Sequence, residues 1–252
     1  MNKEEEKTNV SKLIFRPFSL LYFFMIFLWT ILLFPFFILS GRVFVRLLGL
    51  PPIFTFVIFM LSLFGSYVNI PIMELVSTEP VLAVREISIF GVSWYVPEFE
   101  VRRKKTVVAV NVGGALVPLL VSIYLLVFVV PNLESNLFVA YTKIFLALAI
   151  VTLLVHAVAT PVKGLGIATP AFLPPLVTAL TSVALYGLYV PTNPFVIAYV
   201  AGTLGTLLGA DILNLDKVSK LGAPLVSIGG AGTFDGVYLT GLVAVFLVLI
   251  LI

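Results

Sequence analysis

Two long apolar runs, residues 107–130 (VVAVNVGGALVPLLVSIYLLVFVV) and 137–159 (LFVAYTKIFLALAIVTLLVHAVA), decide the fold of this chain. Each run is as long as the helix of about 20 apolar residues that crosses the hydrocarbon core of a bilayer. The apolar residues follow one another without the spacing of an amphipathic helix or strand, which indicates lipid around them. The sequence therefore predicts membrane-spanning helices.

The composition of the whole chain extends this prediction beyond the two runs. Of its 252 residues, 61% are hydrophobic and only 11% are charged, whereas soluble domains carry about 25% charged residues. We expect a single all-α integral membrane domain over residues 1–252, with about seven transmembrane helices. The predicted spans lie near 18–40, 52–76, 107–130, 137–159, 173–190, 195–214 and 234–252.

The segments between the spans are not all plain loops. Residues 77–106 are the longest polar segment, and alternation of apolar with small or polar residues around Gly91 predicts a short cytoplasmic β-hairpin between spans two and three. Segments 161–175 and 223–236 are rich in glycine and proline and predict broken backbone before spans five and seven. Such backbone survives at membrane depth only when it is buried in protein or lines a wet cavity.

The basic residues predict the orientation of the chain. Twelve Lys and Arg residues fall on the side of the N-terminus and hairpin, and only Arg42 and Arg46 fall on the other. Positive residues concentrate on the cytoplasmic side, so we expect a cell-membrane protein with its N-terminus cytoplasmic and its C-terminus outside. The net charge of +3 is explained by orientation without nucleic acid, and the expected partner is the lipid bilayer.

Four polar residues inside the predicted spans are candidates for function, because such residues are costly in a membrane. They are Asn111, His156, Asp211 and Asp235, and the topology places all four at one depth near the cytoplasmic ends of their spans. His156 has two interpretations: it is a proton relay, or it is a core histidine whose ring makes one hydrogen bond. We interpret Asn111 and His156 as substrate-binding residues.

Asp211 has two interpretations. Gly205 and Gly209 precede it with the spacing that lets another helix approach closely, which favours a partly desolvated carboxylate that transfers protons. Alternatively, Asp211 is an interfacial residue in the last turn before a solvated loop.

Asp235 also has two interpretations. It follows Gly229, Gly230 and Gly232, whose bare backbone suits the binding of an extended membrane peptide or a small solute. Asp is equally favoured as the N-cap of a helix, where the helix dipole stabilises its charge.

The sequence lacks the motifs of several common classes of enzyme and metal site. The chain contains no Cys, which excludes disulfides, thiol catalysis and thiolate metal sites. It has no phosphate-binding loop, no His-Glu-x-x-His and no Gly-x-Ser-x-Gly. We therefore expect neither a metal nor a cofactor.

Three stretches resemble an uncharacterised prokaryotic family of multi-pass membrane proteins, known only as a domain of unknown function. The resemblance covers most of the chain from the hairpin to the C-terminus, and it implies a shared fold without an established activity. The stretches are NVGGALVP (111–118), GADILNL (209–215) and IGGAGTFDGVYLTG (228–241).

A second resemblance is to aspartyl intramembrane proteases of the presenilin and prepilin-peptidase type. Those enzymes use two Asp on neighbouring spans, one after Tyr or Phe and one in Gly-x-Gly-Asp, which Phe234-Asp235 and Gly209-Ala-Asp211 resemble. The chain departs from that pattern, because the glycine-type motif comes first and its second Gly is replaced by Ala210.

Three functional hypotheses follow. In the first, Asp211 and Asp235 are the catalytic acid and base of an intramembrane hydrolase. In the second, the broken helices and buried carboxylates form the site of a small-solute or proton-coupled transporter. In the third, the protein is a non-catalytic scaffold whose hairpin and basic residues recruit other proteins.

Overall fold

A computed structural model describes residues 14–15, 24, 28, 41, 44–89, 92–162, 166–218, 223–230 and 235–252. The fold is mostly helical, with one long β-ribbon and a small second hairpin. The helices are α1 (Pro52–Gly65), α2 (Val112–Leu133), α3 (Leu137–Val158), α4 (Leu173–Tyr186), α5 (Pro194–Val218) and α6 (Gly236–Leu251). The strands are β1 (Ile14–Phe15), β2 (Val68–Ile89), β3 (Val92–Asn111), β4 (Thr160–Val162), β5 (Gly166–Ala168) and β6 (Leu225–Ile228).

Among the described residues, three helices are long and apolar enough to cross a membrane, namely α2, α3 and α5. The 22 residues of α3 rise about 33 Å, which matches a hydrocarbon core of about 30 Å. Helices α1, α4 and α6 are apolar but shorter. The predicted span 18–40 lies outside the described residues, apart from Phe24 and Leu28.

Large apolar side chains on the outside of the helices fit a lipid environment. Phe138 is 82% exposed, Leu153 67% and Phe172 83%. In water, such a surface would be an aggregation hazard, whereas in a bilayer the lipid tails cover it. The chain is therefore an integral membrane protein.

Two predicted spans are helical over only part of their length. The helix expected over 52–76 ends at Gly65, and β2 begins at Val68. The helix expected over 107–130 begins only at Val112, because β3 continues to Asn111. Pro71 cannot donate the hydrogen bond of a helix interior, and a short apolar run has no periodicity that separates a buried strand from a buried helix.

The ribbon of β2 and β3 is longer than the hairpin predicted over 77–106. Antiparallel pairing runs from Asn69 opposite Asn111 to Ile89 opposite Val92, with the turn at 90–91 outside the described residues. The added length lies at the base, where the predicted spans begin. There the ion pair of Lys105 with Glu74, at 3.7 Å, links the two strands.

At the base of the ribbon, the sheet widens to four strands in the order β1-β2-β3-β6. Strand β6 runs parallel to β3, with Val107 opposite Leu225 and Val110 opposite Ile228. Each of these strands is followed within two residues by adjacent glycines, Gly113-Gly114 after β3 and Gly229-Gly230 after β6. The two glycine pairs thus lie side by side.

Helix α5 is the centre of the bundle and packs against α3, α4 and α6. Close approach depends on glycine, as the spacing of Gly205 and Gly209 predicts. A Cβ on Gly209 would lie 2.5 Å from the carbonyl oxygen of Thr152 on α3. Towards α6, a Cβ on Gly202 would lie 3.2 Å from the Cα of Gly241.

The last third of α5 departs from regular α-helix. Residues Leu207–Asp211 form a π turn and Ile212–Asn214 a 3-10 turn before the final short α-turn. Single π turns inside helices occur frequently at functional sites. This irregularity places Asp211 at the junction of two helical geometries.

Candidate functional site

Asp235 is the N-cap of α6. Its Oδ1 accepts a hydrogen bond of 2.9 Å from the backbone N–H of Val237, and its backbone is extended, as the cap position requires. Of the two interpretations of Asp235 from the sequence, the structure therefore shows the helix N-cap. The N-terminal end of the helix dipole also stabilises a negative charge on this carboxylate.

Asp211 differs from Asp235 in its surroundings. Its side chain is half-buried at the end of the π turn, and within the described part of the chain it forms no side-chain hydrogen bond at the helix junction. A Cβ on Gly236, the residue after Asp235, would lie 3.9 Å from the Thr206 side chain of α5, so Asp211 and Asp235 lie toward the same end of the contact between α5 and α6. We call Asp211 and Asp235 the carboxylate pair.

His156 lies on α3 beside the π turn of α5. Its Nδ1 is 3.3 Å from the carbonyl oxygen of Gly209 and 3.2 Å from Nδ2 of Asn214. Either contact is a hydrogen bond, depending on which ring nitrogen carries the proton. His156 therefore connects α3 to the π turn of α5 that contains Asp211.

Asn214 is fully buried and was not among the residues singled out from the sequence. Its Nδ2 lies 3.0 Å from the carbonyl oxygen of Gly209 and 2.9 Å from that of Ala210, and its Oδ1 accepts a hydrogen bond of 2.7 Å from Lys217. The sequence places Asn214 just before a charged loop, so it reads there as a solvated residue.

Asn111 belongs to a different polar cluster, at the base of the sheet. Its Nδ2 donates to the carbonyl oxygen of Ser66 (2.8 Å) and to Oδ1 of Asn69 (3.1 Å), and its Oδ1 accepts from the N–H of Gly114 (2.9 Å). Ser227 of β6 donates to the same Asn69 oxygen. These bonds use both donors and the acceptor of the Asn111 amide, which identifies it as a structural link between α1, β2 and α2.

The glycines before α6 allow tight packing. Gly229 has a φ of +69°, and a Cβ there would lie 2.6 Å from the backbone nitrogen of Ala115 in α2. A Cβ on Gly230 would lie 2.6 Å from the carbonyl oxygen of Ser227. Gly232 lies outside the described residues. Gly229 thus allows β6 to pack against the first turn of α2, and Gly230 allows the tight turn that follows β6.

A row of buried hydroxyl groups lines the contact of α5 with α6. Tyr199, Thr203, Thr206 and Tyr238 are each at most 2% exposed, and in the described part of the chain their hydroxyls make no hydrogen bond of ordinary geometry. Thr206 lies beside the first residue of α6, so the row approaches the carboxylate pair from inside the bundle.

The residues that the structure describes provide no set of ligands for a metal ion. Within them, no three His, Cys, Asp or Glu side chains are grouped so as to hold an ion. The chemistry available at this depth is that of two carboxylates, one imidazole and amide groups.

Comparison with known proteins identifies the family but not the activity. Residues 63–247, from the end of α1 almost to the end of α6, match the model of a family described as "Protein of unknown function (DUF1614)". No characterised protein and no solved structure was found to match. The resemblance noted in the glycine-containing stretches is thereby confirmed, and the chain belongs to the DUF1614 family of proteins of unknown function.

Proposed function

We propose that this membrane protein is an aspartyl hydrolase that cleaves an extended peptide segment inside or at the surface of the bilayer. The observation that carries the proposal is the carboxylate pair. A half-buried Asp211 on a π turn of α5 and an N-capping Asp235 lie toward the same end of the contact between α5 and α6. Two carboxylates that meet at such a site would share one proton.

The surroundings of the two groups suggest their roles. Asp235 accepts the N–H of Val237 at a helix N-terminus, so it is the ionised member. Asp211 is assigned the proton.

Asp235 would take a proton from water as the water oxygen bonds to the peptide carbonyl carbon, while Asp211 gives its proton to the carbonyl oxygen. Asp235 would then protonate the amide nitrogen as the C–N bond breaks, and Asp211 would recover a proton from the diol.

The sheet offers a place for an extended substrate. Strand β6 is an edge strand of the described sheet, paired with β3 on one side. Edge strands bind extended peptides through main-chain hydrogen bonds. Since β6 ends at Ile228 and Asp235 follows seven residues later, a peptide beside β6 would pass near the carboxylate pair.

The proposal includes the topology expected from the basic residues. Seven spans with the N-terminus and the β2–β3 ribbon in the cytoplasm would place the carboxylate pair near the cytoplasmic face. Membrane peptides whose ends emerge on that side would reach it.

Replacement of either carboxylate by its amide tests the proposal. Asp211→Asn and Asp235→Asn should each abolish cleavage of labelled single-span peptides in reconstituted vesicles. Asn is as good an N-cap as Asp, so the second variant keeps the start of α6. Asp216→Asn is the matched control, because Asp216 is an exposed acid on the same helix.

The result that contradicts the hydrolase is retained cleavage by either amide variant. A second measurement uses a peptide isostere with a hydroxyl in place of the scissile amide and a photoreactive group. It should label the native protein and the Asp216→Asn control, and it should fail to label Asp211→Asn.

A further inference from the structure

We infer that Asn214 is the positioning residue for Asp211, and that it acts by holding the π turn of α5 in a geometry that the main chain alone would not keep. The importance of this role for cleavage rests on the proposed function. The structural claim itself is independent of any substrate.

The reason lies in the change of helical hydrogen bonding around Asp211. The N–H of Ile212 is shared between the carbonyl oxygens of Leu207 and Leu208, five and four residues back, while that of Leu215 bonds to the carbonyl oxygen of Ile212, three residues back. A change from the wide turn to the tight one leaves carbonyl groups at the junction without a helical N–H. These carbonyls must find other donors, since buried carbonyl groups are almost always paired.

Asn214 supplies that donor. Its Nδ2 reaches the carbonyl oxygens of Gly209 and Ala210, the two residues directly before Asp211, at 3.0 and 2.9 Å. A side-chain amide has two N–H groups and can serve both carbonyls at once. Because the side chain is fully buried, water does not compete for these bonds.

Two further contacts hold the Asn214 amide and the π turn in place. Lys217 donates to its Oδ1 at 2.7 Å, which identifies Nδ2 as the atom facing the turn. With both N–H groups of Nδ2 committed to the two carbonyls, His156 supports the turn as an Nδ1–H donor to the Gly209 oxygen, at 3.3 Å. The turn is therefore fixed between α3 and the end of α5.

Loss of Asn214 should change the direction of the Asp211 side chain. If the π turn relaxed to regular α-helix, the register would change by one residue, which is a rotation of about 100° around the helix axis. Such a rotation would turn the Asp211 carboxyl away from Asp235. Asn214 thus controls a distance between two side chains that it does not itself join.

The test measures that distance directly. Since the chain contains no Cys, Asp211→Cys with Asp235→Cys gives a single thiol pair, and thiol-reactive crosslinkers of increasing length find the shortest that joins it. Adding Asn214→Leu or Asn214→Asp should lengthen the shortest effective crosslinker or abolish the crosslink. Lys217→Met removes only the support of the Asn214 oxygen, so it should have the same effect to a smaller extent.

Asn132→Leu is the matched control. Asn132 also donates from Nδ2 to a carbonyl four residues back, that of Phe128, but it is exposed on α2. It should leave the crosslinking pattern unchanged. If Asn214→Leu and Lys217→Met both crosslink like the parent pair, the inference is overturned. Should an Asn214 variant fail to fold, Lys217→Met decides the outcome.

The inference and the proposed function can fail separately. Altered crosslinking in a protein that cleaves no peptide would keep the role of Asn214 and remove the hydrolase. Loss of cleavage in Asn214→Leu with unchanged crosslinking would remove the role of Asn214 and keep the hydrolase.

Discussion

Lys143 shows how a single charged side chain is accommodated inside a helix of this bundle. It is only 6% exposed, and its Nζ donates to the carbonyl oxygens of Tyr186 and Val190, at 2.8 and 2.7 Å. These carbonyls lie at and beyond the C-terminus of α4, where a helix leaves carbonyl groups unpaired and favours a cation.

Removing the Lys143 ammonium should destabilise the protein. Lys143→Met leaves two carbonyls without a charged donor, which should cost about 1.5–3 kcal/mol. The measurement is the unfolding temperature in detergent. Thr142→Val is the control, because the exposed Thr142 bonds only within its own helix, to Phe138. Equal unfolding temperatures for Lys143→Met and native protein would contradict the capping role.

Asp235 allows its capping role to be separated from its charge. Asp235→Ala should lower stability by about 1 kcal/mol through loss of the bond to Val237, whereas Asp235→Asn should be nearly neutral. Thermal unfolding of both variants measures this difference. A stable Asp235→Asn that has lost cleavage would assign the loss to the charge, and equal stability of the two variants would refute the cap.

The sequence makes ionisable candidate residues more conspicuous than amide side chains. Asp211, Asp235 and His156 are conspicuous because ionisable side chains are rare in apolar helices. Asn214 and Asn69 have no such signal, since amides occur commonly in loops and at helix ends. Asn214 and Asn69 form hydrogen bonds at places where the backbone is irregular. Hydropathy does not show where the backbone departs from a regular helix or strand.

The close contact between α3 and α5 depends on Gly205 and Gly209 of α5. Gly209→Val would place side-chain atoms against the backbone of Thr152 and His156, and overpacking of this kind costs about 1–3 kcal/mol. The unfolding temperature should fall. Gly187→Val should leave it almost unchanged, because no atom lies within 4 Å of a Cβ at that position. Equal losses in both variants would argue against close helix packing as the cause.

Helix boundaries could be predicted where no strand competes. Helix α3 was predicted over 137–159 and is observed over Leu137–Val158, with Asn136 as its N-cap. The ends of spans two and three were predicted wrongly, because the strands at the base of the ribbon are as apolar as the adjoining helices. Strand β6, which pairs with β3, lies more than a hundred residues further along the chain, beyond the reach of any local pattern.

The overall topology can be tested by placing single thiols in a chain that has none of its own. The proposed orientation puts Ser135, an exposed residue between α2 and α3, outside the cell, and Tyr95, 69% exposed on the ribbon, in the cytoplasm. A membrane-impermeant maleimide should label Ser135→Cys in intact cells and Tyr95→Cys only after permeabilisation. The reverse pattern would invert the topology, and labelling of both in intact cells would exclude a cytoplasmic ribbon.

The parallel pairing of β3 with β6 has a consequence for biogenesis. Val110 and Ile228 lie opposite each other, yet the ribosome must add 118 residues after Val110 to reach and include Ile228, which takes roughly 6–24 s at ordinary rates of synthesis. During that interval, helices α2 to α5 are synthesised, and the edge of β3 lacks its partner. These four helices therefore precede completion of the sheet, whereas α6 follows it, and chains truncated before Leu225 would present an uncovered strand edge to the cell's quality-control machinery.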